Sequence, residues 1–353
     1  MSFHIMATVL LQKNITTMKR LSLPLLLLMA LCAIASASGI KAPAFLKPGD
    51  KIAIISPASA ISARGADSTY AVLQRWGFTP IMGANICNRY HGFAGTVDER
   101  KADLVKALTD TTVKAIFCTR GGYGSLQILN KTNLQVFRNN PKWIIGYSDI
   151  TALHSAEVRA GNMSIHANMS GWLLEEGGAD TLSTILRNAL MGQFPAYKVE
   201  GSRYNNPGKA TGTLIGGNLT VFNNLAGTPC DFLDPAFMRD HDFILFFEDV
   251  HENFTHVDRM IHQLQARGVL SRLKGIIVGK FKDYRREDGY TSMHDMLYDY
   301  LKDYKIPICY DFPTGHFERT NYPLIEGCPV TLDVQADSVA LTFQLPSPTA
   351  AGH

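Results

Sequence analysis

The sequence has few cysteines, and their placement argues against a small disulfide-stapled or zinc-bound domain. Six cysteines occur in 353 residues, and none of them forms a C-x-x-C pair. The five that follow Cys32 are odd in number and scattered, which does not suit a disulfide framework. Zinc sites built on cysteine need paired spacing, so no cysteine zinc site is expected.

A strong charge of one sign is also absent. The formal net charge is +3, charged residues make up 18% of the chain, and no run of like charges or internal repeat is present. Such a weak field predicts no nucleic-acid partner and no attraction to an anionic membrane surface. With 46% hydrophobic residues, the chain is typical of a globular protein, and its length suits two domains.

No apolar run reaches the roughly 20 residues that a membrane helix needs. The nearest candidate, residues 21–34, follows Lys19-Arg20 and precedes Ala35-Ser36-Ala37. This basic, apolar, small-residue order is that of a secretory signal, although a buried first helix is the alternative. We therefore predict a signal peptide over 1–37, an exported, periplasmic protein and no stable membrane span after cleavage. Met18 directly before Lys19 indicates that 1–17 is a misassigned start.

Alternating patterns predict an α/β fold in two parts. The first half predicts strands at 51–56, 78–82, 113–118 and 143–145 with helices at 68–76 and 98–108. Such alternation favours a parallel sheet with helices on both faces. The second half predicts strands at 211–215, 243–247, 275–278, 329–334 and 338–344, with a helix at 256–266. We predict an α/β domain over 38–165, a linker over 166–206 and a smaller, β-rich domain over 207–353.

Three reactive residues stand at strand ends or in loops. An apolar strand delivers Ser148 in Gly146-Tyr-Ser-Asp149, and such a corner can expose a hydroxyl beside free N–H groups. Glu248 ends the run Phe243–Phe247, where a carboxylate can orient a histidine. His316 follows a glycine in a loop between two prolines. Together they supply nucleophile, acid and base on separate elements.

Each of these residues has a plainer interpretation. Ser148 or Asp149 could simply cap the helix that follows. Glu248 could be a solvated strand end or a helix N-terminal acid. His316 could be an ordinary surface histidine of a loop. Residue types without geometry do not establish a catalytic triad.

A metal site and a phosphate loop are the competing interpretations. His251, His256 and His262 lie near Glu248 and Glu252, but the spacing matches no zinc-peptidase motif. The glycine loop Arg120-Gly-Gly-Tyr-Gly124 lacks the Lys-Ser/Thr of a phosphate-binding loop. We favour close backbone approach to a substrate, with N–H groups for an oxyanion or a carboxylate.

The sequence resembles the LD-carboxypeptidase family, which also includes the microcin C immunity peptidases. The resemblance extends from about residue 48 to residue 332 and rests on motifs in a fixed order. These are Gly49-Asp50 with Ser56-Pro57, Phe93-Ala-Gly-Thr with Arg100, Arg120-Gly-Gly-Tyr-Gly124, Gly146-Tyr-Ser-Asp149, Gly216-Gly-Asn-Leu219, Glu248-Asp249 with Glu252 and Asp258-Arg259, and Gly315-His316. One departure is His166-Ala-Asn-Met169, where the family often has His-Gly-Pro-Met.

The resemblance implies a fold, a site and a reaction. The fold would be a flavodoxin-like α/β domain with a smaller β-rich domain, usually in a homodimer. Ser148 would be the nucleophile, Glu248 the acid and His316 the base. The N–H groups of Asp149 and of Gly121 or Gly122 would form the oxyanion hole. Substrate contacts would come from Arg120, Tyr123 and Asn218, which lie in these motifs.

The implied reaction is the removal of D-alanine from a murein tetrapeptide, without a cofactor or a metal. Two other functions stay open at this point. One is a peptidase or amidase of the microcin-immunity kind, acting on peptidyl or aminoacyl nucleotides. The other is a catalytically silent protein that binds cell-wall peptides.

Overall fold

The computed structural model describes residues 39–175, 177–285, 289–317 and 320–344. The predicted signal peptide, residues 1–37, lies outside these ranges. Within them, no helix combines the length and the apolar character needed to cross a membrane.

The described strands are β1 (Lys51–Ile55), β2 (Thr79–Met82), β3 (Val113–Cys118), β4 (Trp143–Gly146), β5 (Ser164–His166), β6 (Ala196–Glu200), β7 (Gly208–Asn218), β8 (Phe243–Val250), β9 (Gly275–Lys282), β10 (Ile308–Cys309), β11 (Leu324–Glu326), β12 (Pro329–Val334) and β13 (Ser338–Phe343). The described helices are α1 (Ala63–Arg75), α2 (Val97–Thr109), α3 (Ser125–Leu129), α4 (Gln135–Asn139), α5 (Thr151–Ala160), α6 (Ser170–Glu175), α7 (Thr181–Leu190), α8 (Leu219–Asn223), α9 (Pro235–Met238), α10 (Phe254–Ala266) and α11 (Met293–Leu301).

The first sheet has the order β11-β5-β4-β3-β1-β2. Its strands β1 to β5 pair in parallel, as predicted for the first half of the chain. Parallel strands buried on both faces are typically runs of apolar, β-branched residues, and Ile52–Ile55 and Ile144–Ile145 fit this pattern.

The second sheet has the order β10-β9-β8-β7-β12-β13-β6. Strands β7 to β10 pair in parallel, whereas β12, β13 and β6 add antiparallel ladders. Helices α10 and α11 contribute their buried faces to the same core as β8 and β9. The second region is therefore rich in strands but also carries helices, including α11, which the sequence did not predict.

Local signals set where the first helices begin. Helix α1 starts at Ala63, earlier than predicted, because the Ser62 hydroxyl accepts a hydrogen bond of 3.1 Å from the Gly65 N–H. Helix α2 starts with a capping box between Thr96 and Glu99. Such caps satisfy N–H groups that have no partner within the helix.

The two predicted domains are joined by more than one segment. Residues 166–206, predicted as the linker, carry α6, α7 and the edge strand β6 of the second sheet. Strand β11, from the region assigned to the second domain, pairs with β5 and so completes the first sheet. One apolar core also contains residues of both sheets, such as Ile165 and Phe246. This shared core brings the ends of β4 and β8 to one site.

Candidate active site

Ser148 lies at a sharp corner between β4 and α5. Its φ of 64° falls in the left-handed region, which residues other than glycine rarely adopt. A short 3-10 turn over Ser148–Ile150 leads from the corner into α5. The half-buried serine lines a cavity of about 630 Å³. Such a strand-to-helix corner is the setting in which α/β-hydrolases expose a nucleophilic serine.

The structure does not use Ser148 as a helix cap. The N-cap residues of the 3-10 turn and of α5 are Tyr147 and Ile150, and neither helix start receives a side-chain hydrogen bond. Asp149 does act at a helix start, but at that of α3: its Oδ2 accepts a hydrogen bond of 2.8 Å from the Ser125 N–H. Neither Ser148 nor Asp149 therefore caps α5, and the Asp149 carboxylate instead fastens the glycine loop to the serine corner.

The glycine loop, residues 120–124, passes directly beside Ser148. A Cβ atom on Gly121 would lie 3.0 Å from the Ser148 Cβ and 3.1 Å from its Oγ, so a side chain there would crowd the serine. Arg100, which is 1% exposed, supports the loop from within the protein. It donates hydrogen bonds of 2.8 Å to the Pro57 carbonyl and 3.0 Å to the Gly124 carbonyl. The motif that ends in Arg100 thus supports the loop structurally.

Three backbone N–H groups next to Ser148 are available to a ligand. In the part of the chain that the structure describes, the N–H groups of Gly121, Gly122 and Asp149 make no hydrogen bond. A Cβ on Gly121 would lie 3.3 Å from the Asp149 nitrogen, so the loop and the corner adjoin. Preorganised N–H groups beside a nucleophile are what stabilises a developing oxyanion.

Glu248, inside β8, forms a close pair with the partly buried His316. The His316 Nδ1 lies 2.6 Å from the Glu248 Oε2, and the Glu248 side chain is 0% exposed. Gly315, with a φ of 127°, allows this approach, because a Cβ there would lie 3.1 Å from the Glu248 Cβ. The Nδ1–H donates to the carboxylate, which leaves Nε2 as the ring atom that can accept a proton.

The pair also sets the charge preference of the histidine. Burial favours the neutral ring and lowers the pKa of His316, but the charge and hydrogen bond of Glu248, with the charge of Asp249, outweigh burial. The net pKa of His316 therefore lies above the ordinary value for histidine. A carboxylate that both orients an imidazole and stabilises its charged form is the third member of a serine triad.

The serine and the histidine line the same cavity. Ser148, Asp149, Gly121, Gly122 and His316 all contribute to its wall. No hydrogen bond joins Ser148 to His316, both of which lie in the described ranges. Catalytic hydrogen bonds are often long before substrate binds, so the lack of one here is compatible with a nucleophile and its base.

Comparison with known proteins identifies the family. The LD-carboxypeptidase N-terminal domain matches residues 52–167, and the LD-carboxypeptidase C-terminal domain matches residues 211–332. The chain belongs to the LD-carboxypeptidase family. It is accordingly a serine-type carboxypeptidase, a hydrolase.

Individual proteins that this chain resembles agree with this. The probable murein peptide carboxypeptidase of Bacillus subtilis is 32% identical over 284 residues, which cover 78% of this chain and 86% of that protein. The crystal structure of muramoyltetrapeptide carboxypeptidase from Oxalobacter formigenes matches with a TM-score of 0.72 at 26% identity, covering 84% of this chain and 100% of that one. The microcin C7 self-immunity protein MccF in its wild-type apo state shares the fold, with a TM-score of 0.71 at 22% identity, covering 86% and 99%.

Two predicted substrate contacts lie at the rim of this LD-carboxypeptidase cavity. Arg120 is exposed, and its Nη1 donates a long hydrogen bond of 3.3 Å to the Ala60 carbonyl. Tyr123 is 64% exposed, and its ring centroid lies 5.7 Å from that of Phe93. Both side chains line the cavity. Their cationic and aromatic groups are therefore open to a ligand.

Asn218, the third predicted contact, is largely occupied by structural hydrogen bonds. Its Oδ1 caps α8 by accepting from the Val221 N–H at 3.1 Å, and its Nδ2 donates to the Asp249 Oδ1 at 3.0 Å. Asp249 also accepts from the N–H and hydroxyl of Thr220, both at 2.8 Å. Asn218 lines the cavity, but its amide mainly fastens α8 to β8.

Some site residues were not predicted from the sequence. In the sequence, Asp249 stands out only as part of a motif, yet it holds α8 in place. Burial together with the charge of Glu248 raises the pKa of Asp249 to about 6. Its position next to Glu248 at the strand end was the available signal. Trp172 of α6 also lines the cavity, and no pattern in the sequence pointed to it.

The histidines of the metal alternative are dispersed. His256 Nδ1 lies 2.6 Å from Glu252 Oε2, and His262 Nε2 lies 3.4 Å from Asp258 Oδ1. These are two separate pairs on or near α10, and within each pair the partners are one helical turn apart. His251 lies at the cavity wall. Among the described residues, no three His, Cys, Asp or Glu side chains are grouped as metal ligands would be.

Proposed function

We propose that the protein is an LD-carboxypeptidase that removes the terminal D-alanine from murein tetrapeptides, with Ser148, His316 and Glu248 as its catalytic residues. The observation that carries this proposal is the Glu248–His316 pair at 2.6 Å, facing the cavity that Ser148 lines. The names of the relatives support the substrate, because one is named for murein peptides and one for a muramoyltetrapeptide.

The proposed reaction has two steps. The Ser148 Oγ attacks the carbonyl carbon of the terminal peptide bond while His316 Nε2 takes its proton. The N–H groups of Gly121 or Gly122 and of Asp149 stabilise the oxyanion. His316 then gives the proton to the leaving D-alanine amine, and the acyl-enzyme forms. Water, deprotonated by His316, hydrolyses the ester and restores Ser148.

The free carboxylate of the substrate needs a separate partner. Arg120 is the exposed cation at the cavity rim, and its guanidinium can bind a carboxylate through two parallel hydrogen bonds. The glycine loop next to it supplies further N–H groups. We place the terminal D-amino acid between Arg120 and Ser148.

The deciding experiment is an incubation of purified protein with tetrapeptides that carry L-lysine or diaminopimelate at the third position. Released D-alanine, measured by mass, is the expected product, and Ser148→Ala is the matched control. Cleavage of an aminoacyl-nucleotide analogue in place of the tetrapeptides would favour the immunity-type peptidase. Tight tetrapeptide binding without any release would favour the silent binding protein.

We further propose that the protein is exported to the periplasm and that its signal peptide, which ends at Ala37, is cleaved off on export. The support is the basic, apolar, small-residue order at residues 19–37. N-terminal sequencing of the exported protein should find a start near Ser38. A cytoplasmic protein that retains residues 19–37 would contradict this.

A homodimer is the proposed assembly, on the basis of the family resemblance alone. Light scattering coupled to gel filtration should give twice the mass of the processed chain. A monomer at micromolar concentration would remove this part of the proposal.

A further inference from the structure

Asn321, which is 2% exposed, connects the loop of His316 to the first sheet. Its Oδ1 accepts a hydrogen bond of 3.0 Å from the Gly315 N–H and lies 3.1 Å from the His166 Nε2. The same oxygen lies 3.3 Å from the Thr314 hydroxyl. Its Nδ2 donates to the Asn168 Oδ1 at 3.1 Å. The Asn321 side chain thus contacts Thr314 and Gly315, the two residues before His316. It also contacts His166, the last residue of β5, and Asn168, which follows that strand.

The positions of the protons in this cluster follow from the Gly315 N–H, which can only donate a hydrogen bond. Because the Gly315 N–H must donate, the Asn321 atom facing it is the oxygen, and His166 must carry its proton on Nε2. The His166 Nδ1 is then the unprotonated nitrogen, and it has no hydrogen-bond partner among the described residues. A buried, neutral His166 is consistent with this, since burial and the charge of His154 lower its pKa to about 3.

The cluster also has a fixed position relative to Ser148. His166 pairs with Gly146 across β4 and β5, and the Ala167 N–H donates to the Gly146 carbonyl at 2.9 Å. Ser148 follows Gly146 by two residues. The His166 end is therefore tied to the nucleophile, while the Asn321 end is tied to the residue that precedes the base.

We propose that His166, Asn168 and Asn321 form a positioning clamp that sets the His316 ring against Ser148. None of the three lines the cavity, so the clamp acts through His316 and not on the substrate. This inference rests on the proposed function, since it assumes that His316 is the base. The β10–β11 loop crosses from the second sheet to the first, and the clamp determines where it crosses.

Asn168 stands at the position of the proline in the pattern His-Gly-Pro-Met, so the clamp of this chain has a side chain that the pattern lacks. A proline at this position would have no side-chain acceptor for the Asn321 Nδ2–H. In this chain Asn168 supplies one, so that Asn321 is held from both ends of its amide. The departure in His166-Ala-Asn-Met169 therefore strengthens the support of the catalytic loop.

The test compares kcat and KM for graded variants of the clamp. Asn321→Ala should lower kcat by up to about 10²-fold with little change in KM, because a small displacement of a base can cost that much. Asn168→Ala, which removes only one of the hydrogen bonds, should cost less. His166→Gln, whose amide can still donate to Asn321, should keep more activity than His166→Phe.

Asn205→Ala is the matched control. Asn205 holds the same loop farther from the site: its Oδ1 accepts from the Tyr310 N–H at 3.1 Å, and its Nδ2 donates to the Gln335 carbonyl at 3.0 Å. This variant should lower the melting temperature and leave kcat unchanged.

Three outcomes would overturn the clamp. They are a folded Asn321→Ala protein with unchanged kcat, a rise in KM alone, and an equal loss of kcat in Asn205→Ala. His316→Ala in the same assay separates this inference from the proposed function. If His316→Ala retains turnover, the base assignment is wrong; if it loses turnover while Asn321→Ala does not, only the clamp is wrong.

Discussion

The two halves of the candidate site are built by different physical means. The half on the first sheet depends on backbone shape: the left-handed Ser148, the close approach of Gly121, and three N–H groups without a hydrogen-bond partner among the described residues. The half on the second sheet depends on charge: the buried Glu248 carboxylate beside the His316 ring. Changes of side-chain volume should therefore disturb the first half, and changes of protonation the second.

The largest effect should come from removing any one of the three triad side chains, because the two halves of the site act together in catalysis. Ser148→Ala, His316→Ala and Glu248→Ala should each lower kcat by about 10⁴–10⁶-fold, as in other serine triads. The double variants should lose little more than the single ones, because the three groups act together. Steady-state kinetics on the tetrapeptide measures this. Additive losses would show that the halves work independently.

Glu248→Gln should disturb only the electrostatic half. The amide keeps the shape, but without the carboxylate charge the lowering effect of burial on the pKa of His316 is no longer outweighed. The acid limb of kcat/KM should therefore move to lower pH, while kcat falls by roughly 10²–10⁴-fold, as when a triad acid loses its charge. An unshifted acid limb would mean that another group titrates in the profile.

The raised pKa of His316 also makes the stability of the folded protein depend on pH. The pKa of His316 is raised in the folded protein, so the protonated ring stabilises the fold below the unfolded pKa of about 6.5. That contribution is lost as the pH rises through the folded pKa. Since activity needs the neutral ring, kcat/KM should rise over the interval in which this stabilisation is lost.

Gly121→Ala should disturb only the steric half. Its new Cβ would lie 3.0 Å from the Ser148 Cβ, so the loop or the serine corner must shift. We expect kcat to fall on the order of 10²-fold, with no change in the pH of the acid limb. The pH profile of this variant is the comparison with Glu248→Gln. A shifted acid limb would show that the two halves are not separable.

The sequence predicted the elements that depend on local pattern. Strands at 113–118 and 329–334 were predicted with the bounds that the structure has, since their apolar residues follow simple periodicity. The first half as a parallel sheet is confirmed as well. Ser148 lies at a strand-to-helix corner, as the motif predicted. Glu248 was predicted at the end of a strand over 243–247, but β8 continues to Val250, so Glu248 lies inside the strand.

Features that depend on distant pairing were not predictable from the sequence. Glu248 and His316 are 68 residues apart, and only the crossing of the β10–β11 loop brings them together. The return of β11 to the first sheet follows from pairing with β5, which three residues cannot signal. Asn218 matches a motif, but nothing local shows that its Nδ2 would donate to Asp249, which lies 31 residues away.

The smallest effect should come from Arg120, which belongs to neither mechanism. Its guanidinium is exposed, so water and salt screen its interaction with the substrate carboxylate. Arg120→Ala should raise KM by about tenfold, the lower end of what a hydrogen bond to a charged group contributes. Its kcat should hardly change, because binding of the carboxylate is the same in the ground state and the transition state.

Ionic strength and a conservative variant test further whether Arg120 binds the substrate carboxylate by its charge. Arg120→Lys keeps the charge but loses the planar fork, so its KM should lie between those of the wild type and Arg120→Ala. Raising the salt concentration should narrow the gap between wild type and Arg120→Ala, since the lost term is electrostatic. If Arg120→Ala instead lowers kcat and leaves KM unchanged, Arg120 acts on the transition state. It would then act together with the N–H groups of Gly121 and Gly122, in the half of the site that depends on backbone shape.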